Sequence, residues 1–206
     1  MITKATPPSR NTANDDSLLG FITLALMKDL QNTDDMLPAK VIAYDRVTNR
    51  ASVQPLIVMV NTNNEQIPRA QISSIPVLQL GGGGFVLSFP LNTGDLGWIK
   101  ANDRDISLFL TSLAQSPPNT IRKHTFQDAI FIPDTMFKSV TINEEDADNA
   151  VIQSLDGTCR IAISNGSVKI TAPEIIFDSP ATSCTGSFET GTNPAYPDIV
   201  KFNPHV

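Results

Sequence analysis

Little in this sequence is charged, aromatic or sulfur-bearing. Asp, Glu, Lys and Arg together make up 17% of the 206 residues and aromatics 6%, with two Cys, one Trp and two Tyr. Each scarcity excludes something. Two thiols, Cys159 and Cys184, make neither a disulfide framework nor a four-ligand zinc site, and they read as reduced packing residues. Acidic residues outnumber basic ones 21 to 15, for a net charge of −6, and no Lys/Arg cluster exists. The surface that neutralises phosphates is therefore missing, as are the stacking aromatics a single strand needs. The same balance disfavours attachment to anionic membranes. The most apolar run, "LLGFITLALM" from Leu18 to Met27, is too short to span a bilayer. Asp15 and Asp16 stand where a signal peptide is positive, and no small-x-small cleavage site follows. The chain reads as made in the cytoplasm, with neither signal peptide nor transmembrane helix.

What is present is an apolar content of 41%, enough for a core, punctuated by 15 Pro and 11 Gly. Few charges, short apolar runs and frequent turns describe a mainly β protein. "MITKATPPSRNTAN" reads as a polar arm, and "DDSLLGFITLALMKDLQ" as a helix capped by Asp15 or Asp16. Leu18, Phe21, Ile22, Ala25 and Leu26 form its broad stripe, made for packing on something sizeable or for docking to a partner. Val41, Ala43, Val47, Val53, Leu56 and Val58 suggest two strands around "RVTNR". "IPRAQISSIPVLQL" is a third, and "GGGGFVLSFPLNTGDLGWIKAND" gives two more around "LNTGD". Five short strands with irregular connections suit a small closed barrel such as an OB-fold. "DISLFLTSLAQ" reads as a short helix capped by Asp105 and ended by "SPPNT". Residues 121–140 read as an extended connector, and "NEEDADN" as a solvated acidic turn.

From Ala150 the texture is short alternating strands, "AVIQSL", "CRIAIS", "SVKITA" and "EIIFDS", separated by "DG", "NG" and "AP". So few residues cannot enclose a core alone, since a two-stranded hairpin is marginal in water. Three copies winding about one axis would supply the missing layer. The domain division expected is then 1–36 arm and helix, 37–115 barrel, 116–149 linker and 150–206 spike and tip. Ile161, Ile163, Val168, Ile170, Ile175 and Phe177 are the residues expected to face the axis. A one-residue slip would turn any of these strands over, and Ile176 already breaks the alternation.

Catalytic chemistry finds no footing. His124, with Asp128 four residues on, has no nucleophile motif beside it and reads as a structural hydrogen-bonding residue. Gly81 to Gly84 lack the Lys-Ser or Lys-Thr and the following helix of a phosphate loop. They read as a flexible lead-in to a strand or a close backbone approach. Glu144 to Asp148 lack the Gly and terminal Glu of a calcium loop. No catalytic residue is assigned, and the chain is expected not to be an enzyme.

The order "VIAYDRVTNRASVQPLI", "GGGGFVLSFPLNTGDLGWIKANDRDI", "RKHTFQDAIFIP" and then alternating strands resembles the central membrane-piercing spike of contractile-tailed bacteriophages, over roughly residues 37–178. "FPLNTGD", "DRDI" and "HTFQDAIFIP" carry that resemblance most specifically. It implies a homotrimer with an N-terminal OB-fold and a C-terminal intertwined triple-stranded β-helix needle. The barrels and N-terminal helices would be gathered at the baseplate hub beneath the tail tube, in the virion. Sheath contraction would drive the needle through the host outer membrane with no catalytic step and no nucleic-acid contact. Relatives often close the tip with one iron ion per trimer, held by a His-x-His pair from each chain. Here the end reads "FNPHV", with His205 alone. Three His205 imidazoles would be the metal ligands, against the plainer reading of an exposed terminal histidine. The alternatives are a trimeric receptor-binding or adhesin fibre, and a tail-associated cell-wall or polysaccharide hydrolase, whose paired carboxylates have no domain to hold them. A fibre would end in a broad aromatic head, which so few aromatics do not furnish.

Overall fold

The computed structural model describes residues 17–31, 33–61, 63–136 and 140–181, which divide into two units, one up to residue 138 and one from 139. The N-terminal arm, Asp15, Asp16, Cys184 and His205 lie outside the described residues.

Helix α1 spans Leu18–Gln31. Ser17 Oγ accepts the Gly20 amide at 3.0 Å, the side-chain cap that a helix start requires. The apolar residues run round the whole circumference, and Leu18, Leu19, Phe21, Ile22, Leu26, Met27 and Leu30 are all exposed. The seat expected for this helix is not supplied by its own unit, although an all-round apolar helix is normally a buried one.

Alternation then builds the barrel. Strands β1 (Met36–Asp45), β2 (Arg50–Pro55), β3 (Met59–Val60), β4 (Gln66–Ile67), β5 (Ile72–Pro76), β6 (Leu80–Gly82), β7 (Phe85–Leu87), β8 (Leu96–Asn102) and β9 (Thr125–Pro133) follow in order. Five of them make one antiparallel sheet, ordered β5-β2-β1-β8-β9. β3 with β4, and β6 with β7, are separate two-stranded hairpins. The sheet curls until its edges nearly meet. Val77, just after β5, bridges in parallel to Phe131 of β9, and the Leu78 amide donates to the Phe131 carbonyl at 2.8 Å. Asn49, at φ +52 in the β1–β2 turn, adds a second latch. Its side-chain amide donates to the Val77 carbonyl at 2.7 Å, while its own carbonyl accepts the Val77 amide at 3.0 Å.

The inward faces supply the core: Ala39 and Val41, Ala51 and Val53, Ile75 and Val77, Ile99 and Ala101, and Phe126, Ala129 and Phe131. A bulge between Val41 and Ala43 changes the inward set of β1. Tyr44 packs on the core while Ala43 is exposed, and Val47 lies in the turn, fully exposed. Of Val41, Ala43 and Val47, read as belonging to one strand, Ala43 faces outward because an inserted residue inverts the face beyond it, and Val47 falls after the strand's end at Asp45.

The fifth barrel strand also differs from expectation. Residues 125–133, read as part of a 116–149 linker, form β9 and hold the most buried large side chain, Phe131. "FVL" of the glycine-rich stretch pairs instead with Leu80–Gly82. The barrel therefore runs past Gln115, and the stretch that joins β8 to β9 carries helix α2 (Ser107–Ser112). β9 is legible as a strand, but its membership in the barrel depends on a long-range pairing with β8.

In the second unit a 3-10 turn at Glu144–Asp146 precedes β10 (Ala150–Gln153), β11 (Arg160–Ser164) and β12 (Ser167–Thr171). These form an antiparallel meander in the order β10-β11-β12. Asn165-Gly166 makes the two-residue β11–β12 turn, with Gly166 at φ +114, as an Asn-Gly pair between alternating runs dictates. "EIIFDS" carries no strand pairing. Pro173 removes a backbone donor just before it, and no described strand of the unit lies alongside.

Barrel closure depends on one missing side chain. Gly97 faces inward on β8, and a Cβ there would collide with Phe131 Cζ and the Ile132 carbonyl oxygen. Gly97→Ala should therefore destabilise the barrel by about 1–3 kcal/mol or more, the range of core overpacking. Ile99→Val, which only deletes a methylene, should cost about 0.5–1.5 kcal/mol. Urea unfolding of the two variants checks the order.

Candidate functional site

Three regions carry the chemistry that a functional reading has to account for. The first is the stretch from β8 to β9, which contains His124 and Asp128. Asp105 precedes α2 and its Oδ1 accepts the Ser107 amide at 3.0 Å, while Ile106 occupies the cap position itself. Asp105 Oδ2 accepts from the Thr120 hydroxyl at 2.7 Å and from Arg122 Nη2 at 3.1 Å. Arg122 also grips Asp128, Nε to Oδ2 at 3.1 Å and Nη2 to Oδ1 at 3.2 Å. Both carboxylates are buried, so one guanidinium serves two anions and pins the excursion onto β9. The Ser107 hydroxyl and amide beside it, then the Thr120 hydroxyl, with the Arg122 charge, hold the Asp105 carboxyl far below the usual carboxylate range. His124, at φ +48, places Nε2 3.0 Å from Asp103 Oδ1, and its carbonyl accepts the Asp34 amide at 2.8 Å. These contacts hold chain segments together. Asp128 is engaged by Arg122 rather than by His124, so the two do not form a dyad.

The second region fixes the chain between α1 and β1. Asp34 accepts from Arg69 Nη1 at 2.9 Å and from the Phe126 amide at 3.2 Å, and the Arg69 guanidinium lies 5.8 Å from the Phe126 ring centroid. Asp35 pairs with Lys100. The lead into the barrel is therefore anchored even though α1 itself is bare.

The third region is the β10–β12 sheet, where the axis-facing candidates lie. Ile161 stands opposite Ile170 and Ile163 opposite Val168, while Ile152 stands opposite Ile161. The register thus gathers Ile152, Ile161, Ile163, Val168 and Ile170 on one face. Every one of them is exposed, from 38% at Ile161 to 64% at Val168. Ile175 and Phe177 are exposed as well, in the unpaired segment beyond β12. Cys159 is free and exposed at the start of β11, not packed in a core.

The opposite face is closed. Ala162 is buried there, flanked by Arg160 and Lys169. Arg160 Nε donates to Asp146 at 2.8 Å, its Nη2 to Glu145 at 2.5 Å and its Nη1 to the Gly157 carbonyl at 3.1 Å. Lys169 Nζ reaches Glu145 at 2.8 Å. The acidic stretch read as a solvated turn is therefore a clamp laid across one face of the sheet. Burial pushes the Asp146 carboxyl up, but hydrogen bonds from Asn149 and Arg160 and the Arg160 charge leave it below its ordinary range. The signal for this was Arg160 in an otherwise apolar alternation fourteen residues after Asp146, a spacing no local rule connects.

Among the described residues no group of three or more His, Cys, Asp or Glu is placed to hold a metal ion, and no helix is long and apolar enough to cross a membrane. Residues 37–134 match the family model described as phage protein Gp138 N-terminal domain. That stretch coincides with the barrel, from β1 to the end of β9. The match is to a domain of a phage protein. A comparison with curated proteins finds no match to this chain.

The Asp105 cluster predicts an acid sensitivity with a defined sign. A carboxyl whose pKa is depressed by folding stabilises fully above its unfolded value, about 3.9, and that stability is lost as pH falls through the folded value. The barrel should unfold at lower temperature at pH 3 than at pH 7. Asp105→Asn should flatten that dependence while lowering the midpoint at pH 7, as thermal melts followed by circular dichroism would show.

Proposed function

We propose that the chain is the non-enzymatic spike of a contractile phage tail, a homotrimer that pierces the host outer membrane when the sheath contracts. One observation carries the reading: a three-stranded sheet clamped on its polar face leaves five aliphatic side chains exposed on the other. A contiguous bare apolar face of this kind marks an interaction site. Three copies turning these faces to a common axis would cover all of them. Each of the fifteen side chains is already about half covered, so burial contributes on the order of 1 kcal/mol apiece. The sum, about 15 kcal/mol, is of the same order as the roughly 4–15 kcal/mol lost at each of the two association steps that build a trimer.

The barrel supports the same reading. Its sheet order, with edge strands closing through Val77 and Phe131, suits an OB-fold, the N-terminal domain of such spikes. The family match over this barrel is to a phage protein domain. In this reading the barrel meets the baseplate hub and tail tube, the β10–β12 segments intertwine as the needle, and the sheath supplies the work.

Light scattering of the purified chain should give a mass three times 22.3 kDa. Ile163→Asp or Ile170→Asp should abolish SDS-resistant trimer, because three carboxylates would meet in an apolar interior. Trimers as resistant as wild type from both variants, or a monomeric wild type, would refute the needle.

A further inference from the structure

The barrel unit has an uncovered apolar element of its own. Strands β6 and β7 are joined by Gly83-Gly84, at φ +59 and +87, the doubly positive pair that a tight two-residue hairpin turn demands. Leu80 pairs with Leu87, Gly81 with Val86 and Gly82 with Phe85. Gly81 is needed as well, since a Cβ there would lie 2.8 Å from the Phe85 carbonyl oxygen. The four glycines thus form half of a built hairpin rather than a flexible lead-in. Yet each strand has only the other as a ladder partner, and a lone two-stranded hairpin is marginal in water. Its side chains are bare: Phe85 is 83% exposed, Val86 and Leu80 63% each, and Phe89 beyond them 51%.

Charge indicates what covers it. Between Arg69 and Asp95 no residue is charged, the longest such stretch in the chain. Copies of a chain with net charge −6 repel one another, so they meet at least cost where no carboxylate is opposed or stripped of water. A bilayer is a poorer fit, since the stretch lacks the Trp, Tyr, Lys and Arg that favour a membrane interface. We propose that the β6–β7 hairpin is a self-association finger that packs on the barrel unit of a second copy. The proposal rests on the trimer reading and names where the barrel units would meet, independently of the β10–β12 face.

The test places a photoreactive phenylalanine analogue at position 85 of the full chain and, as a control, at position 47. Val47 is 96% exposed but follows Asp45 and Arg46 directly and lies outside the uncharged stretch. Irradiated protein is denatured by boiling and sized, with light scattering run on the same sample. The expected result is a trimer with a chain-to-chain adduct from position 85 at least tenfold more abundant than from position 47. A trimer with no adduct from 85, or with equal adducts from both positions, overturns the finger and leaves the needle standing. A monomer overturns both. Flotation with neutral phosphatidylcholine vesicles and no chain-to-chain adduct would assign the hairpin to a bilayer and overturn the proposal.

Discussion

The ring of Phe131 occupies the space that a side chain at Gly97 would need, and the barrel is organised around that contact. The ring fills the interior from β9, its carbonyl holds the Leu78 amide, and its backbone bridges to Val77 beyond β5. A sheet of five short strands closes only if its two edges come together, and here one residue both packs the centre and joins the edges. The excursion between β8 and β9 has to return β9 to that position. This explains why it is tied at several points: Arg122 across Asp105 and Asp128, and the His124 carbonyl to the Asp34 amide. Ion pairs of this kind add little net stability on their own. Their service is to give irregular backbone a single path.

The second unit uses the same device to the opposite end. Arg160 and Lys169 draw the acidic segment over one face of β10–β12, which leaves the sheet one-sided. Without that clamp both faces would be partly apolar and partly wet, and the trimer proposed above would lack a preferred side. With it, the isoleucines opposite are the only large apolar surface the sheet offers, and a slip of one residue in any strand would hide them. The clamp therefore specifies which face is left for others.

What could be read from the sequence was local. α1, the Asn165-Gly166 turn, the one-sidedness of β11 and β12 and the strand nature of β1, β2 and β8 all follow from periodicity within a few residues. What escaped was long-range or hinged on one inserted residue. The bulge after Val41 that turns Ala43 outward has no signal in the alternation. β9 looked like connector because its partner β8 is separated from it by a helix and paired prolines. The Arg160 clamp joins residues that no motif links. The apolar face of β10–β12 was legible as a pattern, whereas the fact that the described chain leaves it bare is a property of the folded unit.

Charge and exposed apolar surface divide this chain between them. The ion pairs sit at junctions, where Asp34 meets Arg69, Arg122 meets Asp105 and Asp128, and Arg160 meets Asp146. Bare apolar side chains sit on α1, on the β6–β7 hairpin, on α2 and on the face of β10–β12 opposite Arg160 and Lys169. A soluble monomer would be expected to scatter its charges so as to break such patches. Here 17% of residues are charged, and many of the described ones are engaged in fixing backbone. On the trimer reading proposed above, covering the rest falls to further copies of the chain.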